Sequence, residues 1–402
     1  MSRLRTISAL GLLALEGLGS PAPRTASAQQ YAVTDLGANA SPSAVNRAGQ
    51  AAGGISYSST SKKVTTTYSR AFVWTPSVPN GITGSTLVLG TLGGTSSTAR
   101  GMGDGGTVVG RANTAQVDAS GYPIVHAFVW NPSGGMRDLN TMFGPNGVSA
   151  ASLGWTLSDA YAINAGGQVV GKGTSPSWPG VWSFLWERDG SGNVRVSPMP
   201  LNDNQKSVIG GGGRPIDRMG LNAAGQVAQY AYDASGYCRA CVWSQDAAGN
   251  GTSVFLPFLA SGTHSEATDI NNPAFDSLGN LTRPAQAVGI SSTNYLNGPF
   301  RAFLWDAVSG THDLGTLGGS GAVAYGINDA SQVIGWSSDS SGVVYASLWD
   351  SASGMRNLNK LSNVGSVWVL NNAVGINNAP AAQIVGNGKL SGANHGYLLT
   401  PQ

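Results

Sequence analysis

Three acids fall at one recurring place in successive segments of this chain. Asp159, Asp217 and Glu266 each stand five residues before an asparagine: Asn164, Asn222 and Asn271. Arg218, His264 and Asp269 lie close to them in sequence. Carboxylates brought together raise one another's pKa, as acid–base catalysis requires, and they can also hold a cation. The plainer alternative is a solvated polar rim. Other reactive residues are scarce, with four histidines and two cysteines. Cys238 and Cys241 form a CxxC inside "YCRACVW", which reads as a strand. Residues three apart on a strand point to opposite faces, and no second CxxC completes a zinc site. The sequence therefore predicts ordinary thiols, no metal site and no cofactor. The stretch "DLGTLGGSGAVAYGIN" (313–328) has the glycines of a phosphate loop but no Lys-Ser/Thr, and it opens a strand rather than a helix.

The elements that must position these residues repeat. An aromatic strand ends at Trp74, Trp130, Trp186, Trp243, Trp305 and Trp349, with a degenerate seventh copy, "HGYLL", at 395–399. In step with it runs an apolar-Asn ending followed by a turn and a valine-rich strand. Its markers are Asn46, Gly103, Asn164, Asn222, Asn271, Asn328 and Asn377. A third element reads "DLG" or "DLN", as at Asp35, Asp138 and Asp313. Asn-x-x-Gly is turn chemistry and implies an antiparallel hairpin. Each unit thus holds four short antiparallel strands, which suits a propeller blade. The chain after residue 28 opens on a fourth-strand segment, "YAVTDLG", and ends on first-to-third segments. The expectation is one all-β domain over 29–402, a seven-bladed β-propeller closed by its N-terminal strand. An open solenoid would need caps at both ends, and none is visible.

Most repeated residues read as structure. Phe128 and Trp130 share a strand face with His126, and both faces of a blade are covered by neighbours, so the aromatic stripe is core. His126 is replaced by Arg70, Trp182, Arg239, Arg301 and Tyr345 in other units, which suits a blade-edge filler rather than a catalytic base. The repeated asparagines read as turn-formers, without the alternating carboxylates of a calcium loop. Function is expected where the repeats differ. The links from fourth to first strand and from second to third fall on one face of the ring. They are long and varied (57–69, 111–125, 141–158, 172–181, 203–213, 291–300), and they carry Tyr57, Tyr122, Trp178 and Tyr295. Such aromatics stack on sugars or pin their own loops. The other face has tight turns, with 75–86 and 272–285 as exceptions. If the inner strand begins at the long-loop rim, the three acids line one arc of the channel mouth.

Composition narrows the function classes. Glycine is 58 of 402 residues, about twice the usual share, and only 10% of residues are charged. The start, "MSRLR" followed by "ISALGLLALEGLG" and "ASA" at 26–28, reads as a signal peptide cleaved after Ala28. Cleavage removes Arg3, Arg5, Arg24 and Glu16 and leaves 19 basic and 19 acidic residues. A neutral chain argues against nucleic acid, whose binding needs a basic surface. No stretch approaches a membrane span.

"HAFVWNPSGGMRDL" and "DLGTLGGSGAVAYGINDASQVIG" resemble the HAF repeat of bacterial extracellular proteins, with the naming triplet at His126-Ala127-Phe128. The likeness is close in units two and six and loose in units four, five and seven. It implies secretion and no particular activity. The sequence thus predicts a secreted monomer. It binds a glycan or protein ligand on its long-loop face without catalysis, through Asp159, Asp217, Glu266, Arg218, Trp178 and Tyr295. A secreted polysaccharide hydrolase or lyase using the acids is the alternative.

Overall fold

A computed structural model describes residues 30–61, 63–199, 218–246, 249–259, 262–293 and 299–402. Seven four-stranded antiparallel sheets form a ring, a seven-bladed β-propeller. Blade one runs through Ala40–Val45, Ala51–Ser61, Val64–Pro76 and Gly84–Val88 from the inner to the outer edge. Blades two to six follow the same order. Blade five alone inserts a small hairpin, Ala274–Phe275 with Leu281–Arg283, into its turn-side link. Blade seven takes its inner three strands from Trp368–Ile376, Ile384–Leu390 and Ala393–Pro401. Its outer strand is the N-terminal Tyr31–Ala38. That pairing closes the ring as expected and leaves no lone edge beside it. The expected signal peptide, 1–28, lies outside the described residues.

The core sits between blades. Phe72, Phe128, Phe184, Phe303 and Tyr397, from third strands, are almost fully buried. Each faces a glycine on the second strand, as in the pairs Gly110 with Phe128 and Gly171 with Phe184. That glycine makes room twice over. A Cβ at Gly289, opposite Phe303, would lie 1.9 Å from the Glu266 carbonyl oxygen, and one at Gly171 would also meet the Phe184 ring at 2.7 Å. Blade four redistributes the bulk, with Gln229 in the glycine's place opposite Cys241 in the phenylalanine's.

Two repeated motifs cooperate in ways their separate spacing does not reveal. His126 Nδ1 lies 2.7 Å from Asp138 Oδ2, Arg301 lies 2.9 Å from Asp313, and His395 Nδ1 lies 2.9 Å from Asp35 Oδ1. The first residue of the aromatic strand therefore pairs with the Asp of "DLG" or "DLN" on the outer strand. His126 is a clasp and not mere filler. Burial pushes the Asp138 carboxyl up, but hydrogen bonds from His126 and Asn140 outweigh it and hold it below the usual range.

The repeated asparagines form a belt. Asn222 Oδ1 accepts from the backbone N–H of Ala224 and Gln226, as a turn-former should. Its Nδ2 also donates to the carbonyl of Asn271 in the next blade, 3.1 Å away. The same step recurs from Asn164 to Asn222, Asn271 to Asn328, Asn328 to Asn377, Asn377 to Asn46, and Asn46 to Gly103. Gly103 has no side chain to pass the link to blade three. The glycine-rich stretches are equally structural. Thr316 Oγ1 donates to Gly319 O and accepts from Gly318 N, and Thr91 does the same with Gly94 and Gly93.

Candidate functional site

Every inner strand but that of blade four, which is described only from residue 218, carries a bulge three residues before the repeated Asn or Gly103. The register skips Ser43, Arg100, Tyr161, Thr268, Tyr325 and Val374. A bulge re-aims the extra residue, and these six line the central channel. The chemistry of the channel wall in these blades is thus set by the bulged position and not by the position that holds Asp159 and Glu266.

Arg218 crosses this channel. Its guanidinium donates to the carbonyls of Ser43 and Val374, on blades one and seven, at 3.3 and 2.6 Å. It also lies 5.5 Å from the centre of the Tyr325 ring. Burial pulls its pKa down and nearby Asp269 pulls it back up. Arg218 is a cross-channel strut. Asp269, in the same wall, accepts from the backbone N–H of Ile270 and Ile327. Burial nonetheless pushes its carboxyl up to about 6, against those two bonds and Arg218.

Of the three acids, Asp159 and Glu266 are not on the channel wall. Asp159 is buried, with its Oδ2 3.1 Å from Arg100 and 3.9 Å from Arg111. Glu266 is buried beside His264, Oε1 to Nε2 at 3.1 Å. Asp159 belongs to the seam between blades two and three, and Glu266 to the seam between four and five. The bulge is the physical reason: it gives the channel to residues nearer the Asn and turns these two acids into the interblade seams. Asp217, Tyr295 and the side chain of Trp178 lie outside the described residues.

The long-loop face carries a groove of about 400 Å³ between blades one and two. Ser56, Thr67, Tyr68, Ser96 and Thr98 line it together with Arg111. Tyr57 and Tyr68 are cross-strand partners on the second–third hairpin and stack at 5.4 Å with 17° between their planes. Arg70 covers Tyr68 at 4.9 Å. Thr98 Oγ1 donates to Ser69 Oγ. Arg111 joins this groove to a second cluster, because it also approaches Asp159. Around that acid, Arg100 and Lys172 both lie against the Tyr161 ring, at 5.5 and 5.2 Å. Two arginines thus pair with the carboxylate, and Lys172 stands opposite it on the neighbouring strand. Tyr122, on a neighbouring loop, is 71% exposed and free to meet a partner.

Comparison with known proteins adds little beyond this geometry. No family model and no curated protein matches the sequence. Among solved structures the chain is similar to a gluconolactonase from Xanthomonas campestris, at 10% identity and TM-score 0.36, over 83% of this chain and 90% of that one. It is similar to a Trypanosoma rangeli sialidase in complex with sialic acid, at 9% identity and TM-score 0.43, over 92% of this chain and 57% of that one. A Mycobacterium tuberculosis puromycin-hydrolysing peptidase matches at 8% identity and TM-score 0.38, over 75% of this chain. The chain spans 44% of that peptidase's length. No helix among the described residues is long and apolar enough to cross a membrane.

Sequence reasoning missed Arg100, Arg111 and Lys172. The signal was present in part: Arg100 sits three before Gly103, where other units show Ser, Thr, Tyr, Val or Met. Only the bulge reveals that this position faces the channel.

Proposed function

We propose that this protein is a secreted, non-catalytic propeller of the HAF-repeat type that binds an acidic glycan on its long-loop face. The groove between blades one and two carries the reading. Its hydroxyls can exchange hydrogen bonds with sugar hydroxyls, and the edge of Tyr68, held by Tyr57 and Arg70, adds apolar contact beside them. Arg111 in its lining leads to Arg100 and Lys172, a cationic group with one acid beside it. A carboxylate or sulfate on a sugar would find charge-assisted hydrogen bonds there. Secretion follows from the signal-like N-terminus and the repeat resemblance.

The hydrolase alternative needs two carboxylates about 5–9.5 Å apart across one substrate site. Asp159 and Glu266 stand on separate seams, each already paired, and Asp269 is the one carboxylate among the described residues of the upper channel wall. That favours binding over hydrolysis. Titration of the mature protein with uronic-acid-containing, sulfated and neutral oligosaccharides, followed by a reducing-end assay, tests both readings. Binding of an acidic oligosaccharide should weaken at least ~10-fold in Arg111→Ala, the equivalent of about 1.4 kcal/mol, with no new reducing ends. Release of sugar products, or affinity unmoved by Arg111→Ala and Tyr68→Ala, would refute the proposal.

A further inference from the structure

The seam between consecutive blades brings together three side chains at equivalent positions. One comes from the third strand of a blade, five residues before its Trp. The other two come from the inner strand of the next blade, seven and five residues before its Asn. In blades one and two these are Ser69, Ser96 and Thr98. In blades five and six they are Phe300, Gly321 and Val323, and in blades six and seven Val344, Leu370 and Asn372. The propeller seam therefore folds with hydroxyls, with apolar groups or with an amide among them, and between blades two and three with Val125, Leu157 and the arginine-paired Asp159. It makes no structural demand for ionisable residues there.

At the seam of blades four and five the three are Cys238, His264 and Glu266. All three are buried, at 4%, 1% and 1% exposure. One ligand atom from each lies within 4.8 Å of the other two. His264 and Glu266 are two apart on the strand His264–Ile270 and so share a face. Cys238 opens the strand Cys238–Gln245 of the neighbouring blade. We infer that this triad is a binding site for a divalent ion of the zinc class.

The ligand chemistry argues for that metal. One sulfur, one imidazole nitrogen and one carboxylate oxygen form a mixed soft and borderline set, which suits zinc over calcium or magnesium. A bound thiolate and carboxylate together neutralise the two charges of the ion, so the loaded site is electrically balanced in its dry surroundings. Without the ion, the same place buries a carboxylate and an imidazole, an arrangement whose desolvation cost is high. Zinc–ligand bonds of about 2.0–2.3 Å place tetrahedral ligands some 3.3–3.8 Å apart, so shifts of about 1 Å or less would close the triad on the ion.

Three protein ligands leave a fourth position. A pocket of about 330 Å³ lies over the triad, lined by Cys238 and His264 themselves together with Tyr232, Tyr237 and Thr263. The geometry points that fourth position into the pocket, where water or a small anion would complete the coordination. The site is distinct from the glycan groove, which lies at the seam of blades one and two.

Titration of purified, chelator-treated protein with Co²⁺, then Zn²⁺, tests this directly. The expected result is one Co²⁺ per chain, with a thiolate-to-cobalt charge-transfer band and the intense visible bands of tetrahedral cobalt, displaced by one equivalent of Zn²⁺. Wild-type protein without the charge-transfer band would overturn the inference, and this measurement needs no variant to fold. Cys241→Ala should keep the band and Cys238→Ala should lose it. A band that survives Cys238→Ala, or that vanishes only in Cys241→Ala, would equally overturn it. Zinc should also raise the Tm of wild type, and leave that of a folded His264→Phe protein unchanged.

Discussion

The two rims of this ring are built from the same strands and behave in opposite ways. On the turn side, six asparagines do one job six times, each closing its own turn and tying its blade to the next. On the long-loop side, the equivalent seams hold a hydroxyl triplet, an arginine-bound aspartate, an apolar patch and a Cys–His–Glu cluster. Uniformity on one rim makes the ring. Because the belt holds the blades in register, the opposite rim is released to vary blade by blade.

That contrast is easiest to break at Asn328. Its amide donates to Gln332 and to the Asn377 carbonyl, and its Oδ1 accepts from Ala330 and Gln332 N–H. Asn328→Ala strands several buried partners and should cost about 2–4 kcal/mol in denaturant unfolding. Asn113→Ala, on the long-loop groove with one long bond to Thr95, should stay within about 0.5 kcal/mol. Equal costs at the two positions would end the distinction between the rims.

Asp269 sharpens the contrast from the channel between the rims. Its carboxyl reaches about 6 in the folded chain, above the ~3.9 of an unfolded aspartate. The folded state therefore holds more protons between those values. Its contribution to stability is full below the unfolded value and is lost as pH rises through about 6. The Tm should carry a downward component over that window, and Asp269→Asn should remove it. A Tm difference between the two proteins that stays constant with pH would show that Asp269 does not titrate there.

The smallest effect is a repair. Gly103 leaves the belt one link short, and a Cβ there would meet Ile163 only at an ordinary 3.6 Å. Gly103→Asn offers an amide to the Asn164 carbonyl and should stabilise the ring by about 1 kcal/mol. No gain would mean that the blade-two seam has lost the geometry of the others.

The blades were legible in the sequence because their signals are local and repeated. Turn chemistry, aromatic strands and the fourth-strand start of the chain were enough to count seven and to close the ring. The site was less legible for two physical reasons. A bulge breaks period-two alternation, so counting back from Asn164 finds Asp159 but not the channel-facing Tyr161 or Arg100 beside it. The seams, too, are assembled from neighbouring blades. Cys238 reads naturally beside Cys241, its partner in the CxxC. In the fold Cys241 is buried, with its thiol pushed up by that burial, and Cys238 faces residues of another blade. The pairing of His126 with Asp138 was half legible, since both motifs were counted and their coupling was not.

The closing sheet has a consequence for how the chain reaches its native state. His395 meets Asp35 across a separation of 360 residues, and Gln402 N–H donates to the Gln30 carbonyl. Contacts so distant in sequence make folding slow. The strand Tyr31–Ala38 has no partner in its own sheet until residues 393–401 have been synthesised, so the ring can lock only once the last of the seven blades is present. Until then Tyr31–Ala38 is a sticky ribbon in search of an edge, and in vivo yield should depend on how well that ribbon is chaperoned.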